Sequence, residues 1–119
     1  MLPLSPQSQI FVASQPIDFR KGIDSLTAVC HQVLHQDPLK GALFLFYNKK
    51  RITLKILCFD GQGFWLIVKR LSSGRFHMTF PRDQRTAYYT ICYRSLQTLI
   101  YNGDPIAANF SKNWRPIQP

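Results

Sequence analysis

Six aspartates and no glutamate are the only carboxylates in this 119-residue chain: Asp18, Asp24, Asp37, Asp60, Asp83 and Asp104. Metal-assisted phosphoryl transfer needs two or three clustered carboxylates that hold divalent ions about 4 Å apart. Only Asp18 and Asp24 lie close in sequence, in a polar loop, Asp18-Phe19-Arg20-Lys21-Gly22, that leads into a helical pattern. A bond from Asp18 to the loop backbone and a helix cap from Asp24 explain that pair. Asp60 falls in a turn, Asp37 precedes Pro38, and Asp83 sits among Pro81, Arg82 and Arg85. Turn and cap roles account for them, and no acidic-x-Lys nuclease pattern is present. His31 and His35 have the i, i+4 spacing of a helical zinc site, but Gln32 stands where a metalloprotease has Glu, and a third ligand would have to come from Cys30, which points elsewhere, or from distant His77. They read as surface histidines. Cys30, Cys58 and Cys92 are odd in number, lack short paired spacing and lie in apolar contexts. Reduced, buried thiols in a cytoplasmic protein are the expectation. No catalytic residue, metal site or cofactor is expected, so the chain reads as a non-enzyme.

Charge is the stronger signal. Fifteen Lys and Arg face the six acids, for a net charge of +9. That balance favours a polyanion, because each neutralised phosphate releases counterions. The cations interleave with aromatics: Arg20 and Lys21 before the helix, Lys49, Lys50 and Arg51 in a loop, then Lys55, Lys69, Arg70 and Arg75 around a hairpin. Phosphate contacts are their default use and position a nucleic acid without reading its sequence. Phe64 and Trp65 could stack on an exposed base, although neighbours on a strand face opposite ways, so at least one packs inward. Arg20, flanked by Asp18 and Asp24, reads equally as a structural ion pair.

These residues need elements to hold them. The length suits one domain with one core, and 45% apolar residues favour a packed fold. The start lacks the basic and apolar run of a signal peptide, and no apolar stretch reaches bilayer length, so no membrane association is expected. Residues 1–9 read as an extended lead-in and 104–119 as an irregular tail. Ile10 to Ala13 is a short strand. Ile23, Leu26, Thr27, Cys30, Val33 and Leu34 mark one helical face, stopped by Asp37-Pro38. Leu43 to Tyr47, Ile52 to Phe59 and Phe64 to Leu71 are strands, the last two joined through Asp60-Gly61-Gln62-Gly63. Gly61 and Gly63 are expected to supply positive φ. An even-length loop puts Lys55 and Arg70 on one face and Lys69 on the other, whereas an odd-length loop or a bulge swaps that pairing. Gly74 marks a further turn, Arg75 to Phe80 a short strand, and Ser95 to Tyr101 a helix. Thr90 to Tyr93 fits either helix or strand.

The ordered set Asp18-x-Arg20-Lys21-Gly22-x-Asp24-x-Leu26, Leu54-Lys55-Ile56-Leu57, Asp60-Gly61-x-Gly63-Phe64, Lys69-Arg70-Leu71 and Gly74-Arg75-Phe76 resembles one family. It is the small accessory protein of bacterial insertion sequence family sixty-six, often labelled TnpB and unrelated to the RNA-guided nuclease of that label. The likeness runs from about Ile10 to Leu99. Cys58 and the His77-Met78-Thr79 insertion before Phe80-Pro81 depart from the family's usual residues. The resemblance implies a part in transposition beside a separate, larger transposase that carries the catalytic acids.

The expected fold is α+β: a mostly antiparallel sheet of four to five strands, with one main amphipathic helix on a face and a short C-terminal helix over an edge. The expected function is a non-catalytic transposition accessory that binds element DNA or the transposase–DNA complex through a basic surface. The alternative is a protein-interaction module that binds the transposase, or another small accessory protein, without touching DNA.

Overall fold

The computed structural model describes residues 8–18, 20, 22–78 and 86–101. The lead-in through residue 7, the Pro81–Arg85 loop and the chain from residue 102 onward lie outside them.

Apolar alternation sets the architecture. In β1 (Ile10–Ala13), Ile10 and Val12 join one core cluster while Phe11 and Ala13 join a second. In β2 (Leu43–Tyr47), Leu43, Leu45 and Tyr47 side with the first cluster, and Phe44 and Phe46 with the second. Every residue of β2 is buried, as a continuous apolar run requires when both faces of a strand are covered. Helix α1 (Ile23–Gln32) supplies Leu26, Val29 and Cys30 to the second cluster. Helix α2 (Tyr93–Ile100) supplies Leu96 and Leu99 to the first. The result is three layers, with the sheet between two helices. The C-terminal helix therefore packs on the face opposite α1 rather than over an edge, because the sheet has two apolar faces to cover.

The sheet has five strands in the order β4-β3-β2-β1-β5, where β3 is Thr53–Phe59, β4 is Phe64–Arg70 and β5 is Tyr88–Ile91. Only β1 and β2 are parallel, joined through α1; the other pairings are antiparallel. The mixed strand count matches the expected mostly antiparallel sheet. Its fifth strand is β5; the Thr90–Tyr93 stretch that fitted helix or strand divides between them, Thr90 and Ile91 ending β5 and Cys92 and Tyr93 opening α2. Arg75 to Met78 forms no strand; Phe76 and Met78 are instead buried in the first cluster.

Local geometry corrects several further expectations. Helix α1 is capped by Gly22, without a side-chain bond, and Asp24 sits in its first turn, where a carboxylate suits the helix dipole. Val33 ends that helix and is 51% exposed, while Val29 and Leu34 complete the buried face. His35 lies past the helix in left-handed backbone (φ 54°), so it does not share a helical face with His31. Asp37 accepts from the Leu39 amide at 2.9 Å and caps a 3-10 turn, Pro38–Lys40. Cys30 and Cys58 are buried, as expected, but Cys92 is exposed at the start of α2. No helix among the described residues is long and apolar enough to cross a membrane.

Candidate nucleic-acid interface

Two turns meet at one end of the sheet. In the turn between β2 and β3, the Asn48 side chain accepts from the amides of Ile52 (3.0 Å) and Thr53 (3.2 Å). The Arg51 amide donates to the Asn48 carbonyl at 2.9 Å, and Arg51 adopts φ 59°. This tight turn projects Lys49 and Lys50 into solvent. The second segment leaves β1: the Ile17 amide donates to the Tyr47 carbonyl at 2.9 Å, and the Tyr47 hydroxyl donates to the Ser14 carbonyl at 2.9 Å. Those bonds pin residues 14–17 to the end of β2.

Between the two segments lies a cleft of about 650 Å³, within the ~300–1,000 Å³ range of ligand clefts. Its apolar lining is Pro16, Ile17 and Ile52. Its charged lining is Arg20, Lys49, Lys50 and Arg70 against the single carboxylate of Asp18. The cleft opens at the carboxyl ends of β1 and β2, the parallel pair, the position where sheets with parallel strands commonly bind ligands.

Strand pairing decides which hairpin cations take part. The four-residue loop pairs Phe59 with Phe64, Lys55 with Val68 and Thr53 with Arg70. Lys55 and Arg70 thus share the α1 face with Thr53, beside the cleft, as an even-length loop dictates. Lys69 faces the other way. Its ammonium donates to the Ile100 carbonyl at 2.6 Å and lies 5.3 Å over the Tyr101 ring. Helix α2 has no basic residue in its own last turn, and Lys69 supplies the cation that the helix C-terminus favours.

The other cations fall into place around the same end. Arg20 is 91% exposed and still paired: its guanidinium reaches both Asp18 carboxylate oxygens at 2.9–3.3 Å. Asp18 also accepts from the Arg20 amide at 3.0 Å, so one carboxylate ties both backbone and side chain. Pairing with Asp18 raises the guanidinium's pKa further. The Arg51 carbonyl accepts from the Phe76 amide at 2.7 Å, bringing exposed Arg75 next to the Lys49–Arg51 turn. Gly74, in left-handed backbone at φ 75°, makes the approach to Arg75. Lys21 lies outside the described residues. Sequence reasoning did not place Pro16, Ile17, Asn48, Ile52 and Thr53 in the site; of these, Pro16 and Asn48 carry turn signals, Pro16 as the stop after the first strand.

The Asp60–Gly63 turn stands at the opposite end of the hairpin. Asp60 accepts from the amides of Gln62 (2.9 Å) and Gly63 (3.0 Å) and from the Trp65 indole (2.8 Å). Those donors, the Gln62 amide foremost, hold its pKa below the usual carboxylate range. Gly61 alone takes positive φ (98°); Gly63, expected to share that role, does not. Phe64 packs inward against Phe59, with centroids 5.1 Å apart, and Trp65 is 40% exposed. Among the thiols, burial pushes Cys30 up to about 12 and raises Cys58, while bonds from Ser95 lower Cys92. No group of three metal-ligating side chains occurs among the described residues.

A family model described as IS66 Orf2 like protein matches residues 8–107. The chain belongs to that family. Membership implies an accessory role in transposition, and it extends over the sheet, both helices and the cleft. Among curated proteins, this IS66 Orf2-like chain is similar to uncharacterized protein y4jC of Sinorhizobium fredii (strain NBRC 101917 / NGR234), with 41% identity over 68 residues, 57% of this chain. It is 40% identical over 76 residues, 64% of this chain, to uncharacterized protein y4hO of the same strain. The chain spans 58% of the length of the first and 66% of the second. No solved structure matches it at a significant level.

Proposed function

We propose that this IS66 Orf2-like protein supports transposition without catalysing it, by binding phosphates of element DNA at the cleft between residues 16–18 with Arg20 and the 48–53 turn. The observation that carries the reading is convergence. Arg20, Lys49–Lys50 and Arg70 come from three separate segments, yet line one cleft with a single opposing carboxylate. Cations retained only for solubility have no reason to gather, since like charges in proximity repel. Lys55 and Arg75 extend the positive surface, and the transposase and another small accessory protein of the element are the natural co-partners on the same DNA in the cytoplasm.

The test is binding of labelled duplex and single-stranded DNA by fluorescence anisotropy, across a salt series. Binding that weakens steeply as salt rises is expected, since the contacts are ionic. Failure to bind either form at low salt refutes direct DNA contact.

One observation supports a second reading, a module that docks on the transposase. Strand β4 is a sheet edge, and it carries exposed Val68 (53%) and Trp65 (40%). An exposed edge strand can pair with a strand of another chain. Association with transposase that is insensitive to salt and lost on Val68→Lys would favour this reading.

A further inference from the structure

Duplex phosphates could be met by cations alone, yet the cations here border an open cleft that also has apolar lining. Pro16, Ile17 and Ile52 give it that lining, and Lys49, Lys50 and Arg70 give it charge. A base in a duplex is stacked and paired, so it cannot enter such a space. An unpaired base can, because its faces are free to lie on apolar or guanidinium surfaces while its phosphates stay outside with the cations. The Asp18–Arg20 pair fits this use. The exposed Arg20 guanidinium, oriented by its contacts to the Asp18 carboxylate, presents a planar face at the edge of the cleft.

We propose that the cleft receives an unpaired nucleotide of single-stranded DNA, its base against Pro16, Ile17 and Ile52 and its flanking phosphates on Lys49, Lys50 and Arg70. This rests on the DNA-binding reading above and narrows it to DNA that is single-stranded at the point of contact. The protein thereby marks ends, gaps or melted stretches rather than intact duplex.

The test alters the DNA and leaves the protein intact. Three labelled probes are compared by anisotropy at matched salt: a blunt duplex, the same duplex with a short single-stranded extension, and that extension built from abasic nucleotides. The abasic strand keeps every phosphate and removes only the bases. Base occupancy of the cleft predicts that the natural extension binds about fivefold or more tighter than the abasic one. In addition, 4-thiothymidine placed in the extension should crosslink to residues 16–18, Arg20 or residues 48–53. Equal affinity for natural and abasic extensions, with salt dependence retained, overturns the cleft assignment and leaves phosphate binding standing. Crosslinks confined to Trp65 or elsewhere also overturn it. No binding of any probe at low salt overturns both and turns attention to an acidic protein partner.

Discussion

Replacing Lys49 and Lys50 together by alanine removes half of the four cations that line the cleft. For single strands, the slope of log affinity against log salt falls by about 0.7 per phosphate contact. If Asp18 fully neutralises Arg20, three contacts remain, and if it yields to phosphate, four do. The cleft then contributes a slope of about 2.1 to 2.8, or roughly 20- to 50-fold weaker binding when salt rises about fourfold. The double variant loses about 1.4 from that slope, which leaves roughly a three- to sevenfold loss over the same range. Cations elsewhere on the protein add to both totals, so the difference between the two proteins is the quantity to measure. Both lysines are exposed in a turn whose bonds come from Asn48 and the backbone. Stability should therefore stay within about 0.5 kcal/mol of the parent, the usual range for surface changes. Anisotropy titrations at several salt concentrations, with a urea melt as control, decide the matter. An unchanged slope in a fully folded variant refutes the placement of the two lysines in the footprint.

The three-layer core predicts that Leu26→Ala and Leu99→Ala each cost about 3–5 kcal/mol by urea unfolding, because both side chains are fully buried on opposite faces. A cost under about 1 kcal/mol for Leu99→Ala would contradict the packing of α2 on the sheet. Cys92 is expected to react with a thiol reagent in the native protein near neutral pH, while Cys30 and Cys58 react only after unfolding; mass spectrometry of the labelled peptides checks the order. Asp60 has a folded pKa below its unfolded value near ~3.9, so its contribution to the turn is present above that value and lost as pH falls through the folded one. An acid titration following the Trp65 indole proton by NMR should show that loss, and Asp60→Asn should abolish the step. A titration unchanged in the Asn variant would assign it to another group.

The central elements were legible because their signals are local. Ile10–Ala13, the β2 run and the four-residue loop between β3 and β4 follow from apolar period and turn composition. The sequence left two registers open for this hairpin, and the pairing of Thr53 with Arg70 selects the one that puts Lys55 with Arg70 and separates Lys69. What escaped were consequences of packing. Nothing in the 93–100 stretch tells which surface its apolar stripe will meet, and Lys69 looks like any hairpin cation until Ile100 is brought to it from 31 residues away. Cys92 has apolar neighbours in sequence, yet it occupies a helix start, where side chains face water. The cleft was half visible: its cations stood out by type, but its apolar lining came from residues 16, 17 and 52, which only the folded chain brings to one place.

Strand β1 lies between β2 and β5, so Ile10 pairs with Leu43 on one side and Ile91 on the other. The order of synthesis gives that placement a cost. As the chain emerges, β2, β3 and β4 can zip together through neighbouring contacts, and β1 can join through α1. One side of β1 then waits, with an unpaired backbone edge, until residues 88–91 arrive, and the face opposite α1, covered only in part by Phe76 and Met78, is completed when α2 follows. Long-range closure of this kind is slow, and an open edge invites pairing with another chain. A product cut short before Tyr88 would thus be prone to self-association rather than simply less active. Two copies made close together could also satisfy the gap by exchanging their last strand and helix.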